Sequence, residues 1–494
     1  PETKVIMVYL ENFANPLKFL EIARKVTPEK PIIAIKAGRG EKAAKAVASH
    51  TGSLAQSDSM IDALMKKAGV VRVFSVDEMI MAAKAMYAEI IPRKQDLAII
   101  TNAGGFGVLS IDKAEELGIR LASLNEKTVK FLKENLPEEA SCHNPVDLLG
   151  TATDKEYAVA LEGVLRDPDV GGIVYNFGPP VMQKAAPIAQ CAVDLARKYP
   201  GRLILSIYMN RRRVMWPFEE AKDVYIAQYD YPEDAVFGYS KLMEYARARR
   251  IVREQPAQLD VGREKVRKIL DDAEREGKKQ LDFDEAEEIL KIYGIPVASS
   301  AIVRELDQLE TQSGHIRFPV AVKPLWGGIV HKTEMNAVRI GIKDKVELAL
   351  ALREISKGIE EITGEKYTRG FVVQEMARGD REIIMGFSRQ AGDVPTLIFG
   401  LGGIFVEALK DVSIAIPPIT RNEAREMIQS IKSYPLLKGF RGKPGIDLES
   451  LAETLVRISH LANDFPRIRE MDMNPFIASA KKGESLAVDV RMIL

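Results

Sequence analysis

Short runs of unbroken apolar residues, spaced by helical patterns, constrain this chain more than any other feature. Pro31-Ile32-Ile33-Ala34-Ile35, Leu97-Ala98-Ile99-Ile100, Gly172–Tyr175 and Leu203–Tyr208 are such runs, and Val5-Ile6-Met7-Val8-Tyr9-Leu10 opens the series. A strand that is apolar at every position has both faces in a core, as in parallel sheets covered by helices. Helical segments fall between the runs. Leu17–Lys25 is one. Another starts at Ser75, with Glu78 three residues on as a capping box, carries Met79, Ala82, Ala83, Met86 and Ile90 at helical spacing, and ends before Pro92. A third covers Val108–Leu117, with Gly118 as its C-cap. The last part has another texture: a helix over Asp284–Tyr293 and a period-two strand over Arg381–Gly386 predict an α+β domain. The polar stretch from Arg247 to Arg263, with Glu254-Gln255-Pro256-Ala257-Gln258 at its centre, reads as a linker.

The 494 residues suit about three domains at ~150 residues each. Seventy basic and seventy acidic residues cancel, so no chain-wide field points to nucleic acid. Two cysteines, Cys142 and Cys191, build no disulfide framework, and a reducing, cytoplasmic setting is the expectation. No apolar run approaches the ~20 residues of a membrane helix, and no signal peptide is recognisable. The chain opens at Pro1 and enters a strand almost at once, which predicts a start inside a longer protein's domain.

Several motifs carry chemistry. His50 lies in Ala48-Ser49-His50-Thr51-Gly52-Ser53, a poor helix and a good mobile loop, where an imidazole could take a group at one site and deliver it at another. Glu11 ends the first strand, where ligands gather in open α/β sheets, and could orient an imidazole, although from the residues alone an ordinary exposed acid is the favoured reading there. Thr101-Asn102-Ala103-Gly104-Gly105-Phe106-Gly107 joins a strand to a helix, and free N–H groups at Gly104 and Gly105 would suit a phosphate. Val320-Ala321-Val322-Lys323-Pro324 ends a strand in a lysine, followed by Gly327-Gly328 and His331-Lys332-Thr333-Glu334, a combination suited to nucleotide phosphates. Glu470-Met471-Asp472-Met473-Asn474-Pro475 would set Glu470, Asp472 and Asn474 on one strand face, and Asp489 lies in a later strand, Ala487–Val490. Such oxygen ligands suit Mg²⁺ bridging nucleotide phosphates.

Together these residues resemble the NDP-forming acyl-CoA synthetases, the ADP-forming acetate–CoA ligase type related to succinyl-CoA synthetase, over nearly the whole chain. Ser49–Ser53 is similar to the family's phosphohistidine loop, Glu11 to the carboxylate that supports it, and the Thr101–Gly107 turn to a phosphate-cradling helix N-terminus. Asn144-Pro145-Val146-Asp147 also fits the pattern. Lys323, the Gln374-Glu375-Met376 hinge, Phe399–Glu407 and the Asn474/Asp489 magnesium pair match an ATP-grasp module in order. His331 falls where such enzymes are thought to use a second relay histidine, although Glu334 stands where the family usually has Asp. The resemblance implies flavodoxin-like parallel-sheet domains followed by an α+β ATP-grasp module. The expected division is 1–93 for the C-terminal part of the phosphohistidine-loop domain, 94–250 for a second flavodoxin-like domain, 251–263 for the linker and 264–494 for ATP-grasp. The family's N-terminal CoA-binding domain has no counterpart in these residues.

The implied reaction is acyl-CoA + ADP + phosphate ⇌ acid + CoA + ATP, with Mg²⁺ as cofactor and a homodimer as the full-length assembly. The implied catalytic residues are His50, Glu11 and His331. Asn102, Gly104, Gly105, Lys323, Glu375 and Met376 would bind substrate or nucleotide, and Asn474 and Asp489 the metal. Two alternatives stay open: an ATP-grasp ligase that activates a carboxylate directly and does not need His50, and a non-catalytic nucleotide or acyl-CoA sensor on the same scaffold. The acyl group and the choice between adenine and guanine are not legible.

Overall fold

The structure, a computed structural model, describes residues 2–40, 42, 57–178, 185–208, 216–304, 316–325, 338–364, 366–367, 370–379, 381–390, 392–402 and 411–494. The His50 loop, His331 and residues 403–407 of the glycine-rich stretch lie outside these described residues. The chain divides into two compact units, residues 1–55 with 64–253 and residues 56–63 with 254–494.

The first unit holds two parallel sheets. In the smaller, Ile32–Lys36 lies between Ile6–Leu10 and Val71–Val73. The central strand is buried at every residue, as its apolar run predicts, whereas the edge strand leaves Met7 and Tyr9 exposed. The five-stranded sheet runs Val146–Asp147, Leu97–Thr101, Gly172–Phe177, Leu203–Tyr208, Ala227–Tyr229. Numbered within the sheet this order is 2-1-3-4-5, the flavodoxin-like arrangement, whose ligand crevice opens at the carboxyl ends of its first and third strands. One face packs on the helices Glu126–Asn135, Asp154–Leu165 and Ala185–Lys198. The other shares a core with the small sheet and with the helices Val76–Tyr87 and Pro232–Arg253.

Local chemistry sets the helix starts. Asn15 accepts a hydrogen bond from Lys18 N at 2.9 Å, and Pro16 occupies the first helical position of Pro16–Val26. Ser75 accepts from Glu78 N at 3.1 Å. The Glu78 carboxylate reaches past the cap to Phe74 N at 2.6 Å, a variant of the expected box. Two boundaries differ from the sequence reading. The helix expected over Val108–Leu117 begins at Gly104, because Thr101 closes the preceding turn, both donating to Ala103 O and accepting from Ala103 N at 3.0 Å. The linker expected from Arg247 starts later. Alanine and arginine favour helix there, Val252 is buried, and the helix runs on to Arg253.

The second unit is built from antiparallel sheets. A four-stranded sheet orders Arg339–Ile342, Val320–Pro324, Phe371–Glu375 and Ser300–Val303, with the helix Lys345–Thr363 on its apolar face. Asp344 caps that helix through Val346 N and Glu347 N, both at 2.9 Å, and Gly364 ends it at φ +72°. A larger sheet places Arg381–Gln390 between Val394–Leu401 and Glu470–Ala478. Its core is completed by the helices Arg263–Arg275, Phe283–Ile292, Arg421–Ser430 and Leu448–Asp464. Parallel flavodoxin-like sheets followed by an antiparallel α+β module is the architecture the sequence predicts.

Candidate active site

Two groups of the expected residues lie in the described structure, one in each unit.

In the first unit the crevice of the five-stranded sheet opens where Leu97–Thr101 passes into the helix Gly104–Glu116. No side chain caps that helix at Ala103. The N–H groups of Phe106 and Gly107 turn back to Ala103 O at 3.0 and 3.3 Å, which leaves the exposed Gly104 and Gly105 at the positive end of the helix. A β-carbon on Gly105 would meet nothing within 4 Å, so packing does not demand glycine there; one on Gly104 would stand 3.3 Å from Asp147 Oδ2. Asn102, expected to bind substrate, also has a structural part. It is buried, donates from Nδ2 to Gly178 O and accepts from Gly178 N, both at 2.9 Å. Its amide thus pins together the carboxyl ends of the sheet's first and third strands. Gly178 is required by packing, since a β-carbon would lie 2.9 Å from the Phe106 ring. Asn144 is a second bracket that its sequence pattern did not reveal: Oδ1 accepts from Ile99 N, and Nδ2 donates to Leu97 O and Ala122 O, all at 2.9 Å. Beneath the crevice, burial holds the Tyr157 phenol protonated well above its ordinary range, and it donates to Asn176 O at 2.9 Å. Glu11 stands exposed just after the strand Ile6–Leu10.

In the second unit one cavity of about 460 Å³ gathers Lys323, Glu375, Met376, Asn474 and Asp489, the five described residues expected there, which lie far apart in sequence. Strand alternation explains the convergence. Val320 and Val322 point into the helix-covered core, so Ala321 and Lys323 face the other way, and Ala321 pairs across the sheet with Gln374. Glu470–Ala478 buries Met471 and Met473 and turns Glu470, Asp472 and Asn474 to the opposite face. A bulge opposite Ile383–Met385 then shifts the strand's phase, and Asn474 is left exposed at the cavity. Asp489 is not in a strand: the strand ends at Ala487, and Asp489 lies in the loop before Arg491–Ile493.

Lys323 is 8% exposed, and its ammonium donates to Asp489 Oδ1 at 2.8 Å and Val488 O at 2.9 Å. The Glu375 carboxylate accepts from Arg317 N, Nε and Nη2 at 3.0–3.3 Å. Glu375 N and Met376 N donate to Ser299 O and Pro319 O at 2.9 and 3.2 Å. Gln374 lines the same cavity, only 4% exposed, and its Nε2 has no hydrogen-bond partner among the described residues. A buried amide left in this state calls for an acceptor supplied from the cavity. Val338 and Ile340 add apolar wall.

The comparisons with known proteins follow the same division. Residues 1–86 match the succinyl-CoA ligase like flavodoxin domain, residues 97–203 the ligase-CoA domain and residues 272–494 the ATP-grasp domain. The ADP-forming acetate–CoA ligase I of Archaeoglobus fulgidus is 33% identical over 494 residues, covering 100% of this chain and 70% of that enzyme. The chain belongs to the ADP-forming acid–CoA ligase family. The 4-hydroxybutyrate–CoA ligase (ADP-forming) of Nitrosopumilus maritimus is 31% identical over 496 residues, covering 99% of this chain and 70% of that ligase. The family also includes split forms: the β subunit of the Pyrococcus furiosus ADP-forming acetate–CoA ligase I is 40% identical over 230 residues, 47% of this chain and 98% of that subunit. Among the described residues, no helix of this ligase is long and apolar enough to cross a membrane.

Proposed function

We propose that the ligase interconverts acyl-CoA, ADP and phosphate with acid, CoA and ATP through phosphohistidine at His50, and that the cavity at Lys323 is its nucleotide site. The observation that carries the reading is the convergence of Lys323, Gln374, Asn474 and Asp489 on one cavity. In this reading the purine lies against Val338 and Ile340, the unpartnered Gln374 amide donates to it, and Lys323 meets the phosphates. Asn474 and Asp489 fit Mg²⁺, which is bound by one or two oxygen side chains plus substrate phosphates rather than by an all-protein cage. When bound, Mg²⁺ would neutralise charge on the bridging phosphate oxygens.

The proposed reaction balances as three displacements. Phosphate first attacks the thioester carbonyl of acyl-CoA, the CoA thiolate leaves, and an acyl phosphate forms. The His50 imidazole attacks the phosphorus of an acyl phosphate and the carboxylate leaves. A terminal ADP oxygen then attacks the same phosphorus and the imidazole leaves. The Gly104 and Gly105 N–H groups would hold the phosphoryl oxygens at the first stop, and Glu11 would orient the imidazole. We assign residues 1–93 and 94–250 to that stop and 264–494 to the second, with His331 as a candidate relay between them.

Titration of the chain with Mg·ADP tests the nucleotide half. Lys323→Ala is expected to weaken binding by at least about tenfold, the scale of one lost charge-assisted contact. Unchanged binding in Lys323→Ala would overturn the assignment.

A further inference from the structure

Among the described residues, three groups stand against the Lys323 ammonium. Two are oxygen acceptors, Asp489 Oδ1 at 2.8 Å and Val488 O at 2.9 Å. The third is the face of the Phe283 ring, whose centroid lies 4.1 Å from Nζ. Phe283 comes from a separate element. It opens the helix Phe283–Ile292, whose start is fixed by the bond from Asp282 N to the Glu285 carboxylate at 2.8 Å, and it packs at the margin of the core of the second unit. With Lys323 only 8% exposed, little water competes for the ammonium, and an aromatic face attracts a cation most where water is excluded.

We propose that Phe283 is a positioning residue for Lys323, holding the ammonium aimed into the cavity when Asp489 is engaged by a metal–nucleotide. The proposal rests on the nucleotide reading of the cavity. Asp489 cannot give its oxygen fully to a divalent cation and keep it as the full partner of Lys323. The incoming phosphates pull the flexible lysine stem with charge but do not fix its direction. Once Asp489 turns to the metal, Val488 O and the Phe283 face are the described groups still beside the ammonium, so each weighs more on its position with nucleotide bound than without. The aromatic therefore acts on nucleotide affinity through Lys323 without touching the nucleotide.

Packing alone would also place a phenylalanine at the margin of a core, so the test has to separate ring shape from ring charge. Phenylalanines with one, two and three ring fluorines, placed at position 283 of the full chain, keep nearly the same shape and progressively drain the negative face. Calorimetric titration with Mg·ADP is expected to show Kd rising stepwise, by about tenfold at three fluorines, with a cooperative thermal transition kept at every step. Phe283→Leu should bind no better than the trifluoro form, and Phe283→Trp should bind like wild type. A flat Kd across the fluorinated series, with Lys323→Ala still losing Mg·ADP, overturns the role of Phe283 and leaves the nucleotide site standing. Wild-type affinity in Lys323→Ala overturns the nucleotide reading itself.

Discussion

Gln374 shows how stability and function pull apart at one residue. Its Nε2 is buried without a hydrogen-bond partner among the described residues, a state that costs about 1–3 kcal/mol. Gln374→Leu removes that cost at similar volume. The variant is expected to be more stable by about 1 kcal/mol in denaturant titration and, if the purine is the amide's acceptor as proposed, to bind ADP about tenfold more weakly. Equal losses in stability and affinity would mean that the amide is satisfied within the fold. Residue identity made half of this site legible. Lys323, Asn474 and Asp489 announce themselves by chemistry and strand position, and a single cavity collects them. Asn102 was only partly legible: an amide beside a glycine turn can bind a ligand or bridge two backbones, and only the pair of 2.9 Å bonds to Gly178 shows that it bridges. Phe283 carries no polar signal, so its position over a lysine from a distant strand could come only from the fold.

At the scale of elements, unbroken apolar runs located the central parallel strands well, because burial on both faces leaves no polar positions. Boundaries were less legible. The Gly104 helix starts earlier than its residues suggest, since Gly104 and Gly105 favour no helix and the turn is closed by Thr101. Pairings between helices are equally hidden. Glu162 on Asp154–Leu165 accepts from Lys198 Nζ and Tyr199 OH at 2.7 Å each, tying that helix to the end of Ala185–Lys198. Lys198 above all, then Tyr199 and Arg166, hold the Glu162 carboxyl down at about 2, from an ordinary 4.5. Because the folded value is depressed, this contribution to stability is complete above the unfolded value and disappears as the pH falls from about 4.5 toward 2. Lys198→Met should therefore lower the stability of the first unit at pH 7 and move its acid unfolding to higher pH, both read by circular dichroism. An unmoved acid transition would show that the tie between the helices adds nothing.

For the whole molecule, the two units divide the proposed chemistry. The first carries parallel sheets and the Gly104 crevice, the second carries the Lys323 cavity, and His50 is the group proposed to serve both. A histidine loop is legible as a motif but not as a geometry, and its role rests on transfer chemistry. The most direct test is to incubate the chain with Mg²⁺ and γ-labelled ATP and to look for an acid-labile, alkali-stable phosphoryl label. The account predicts a label that is lost in His50→Ala and in Lys323→Ala. A chain that binds ATP but takes no label, or a label that survives His50→Ala, would contradict it.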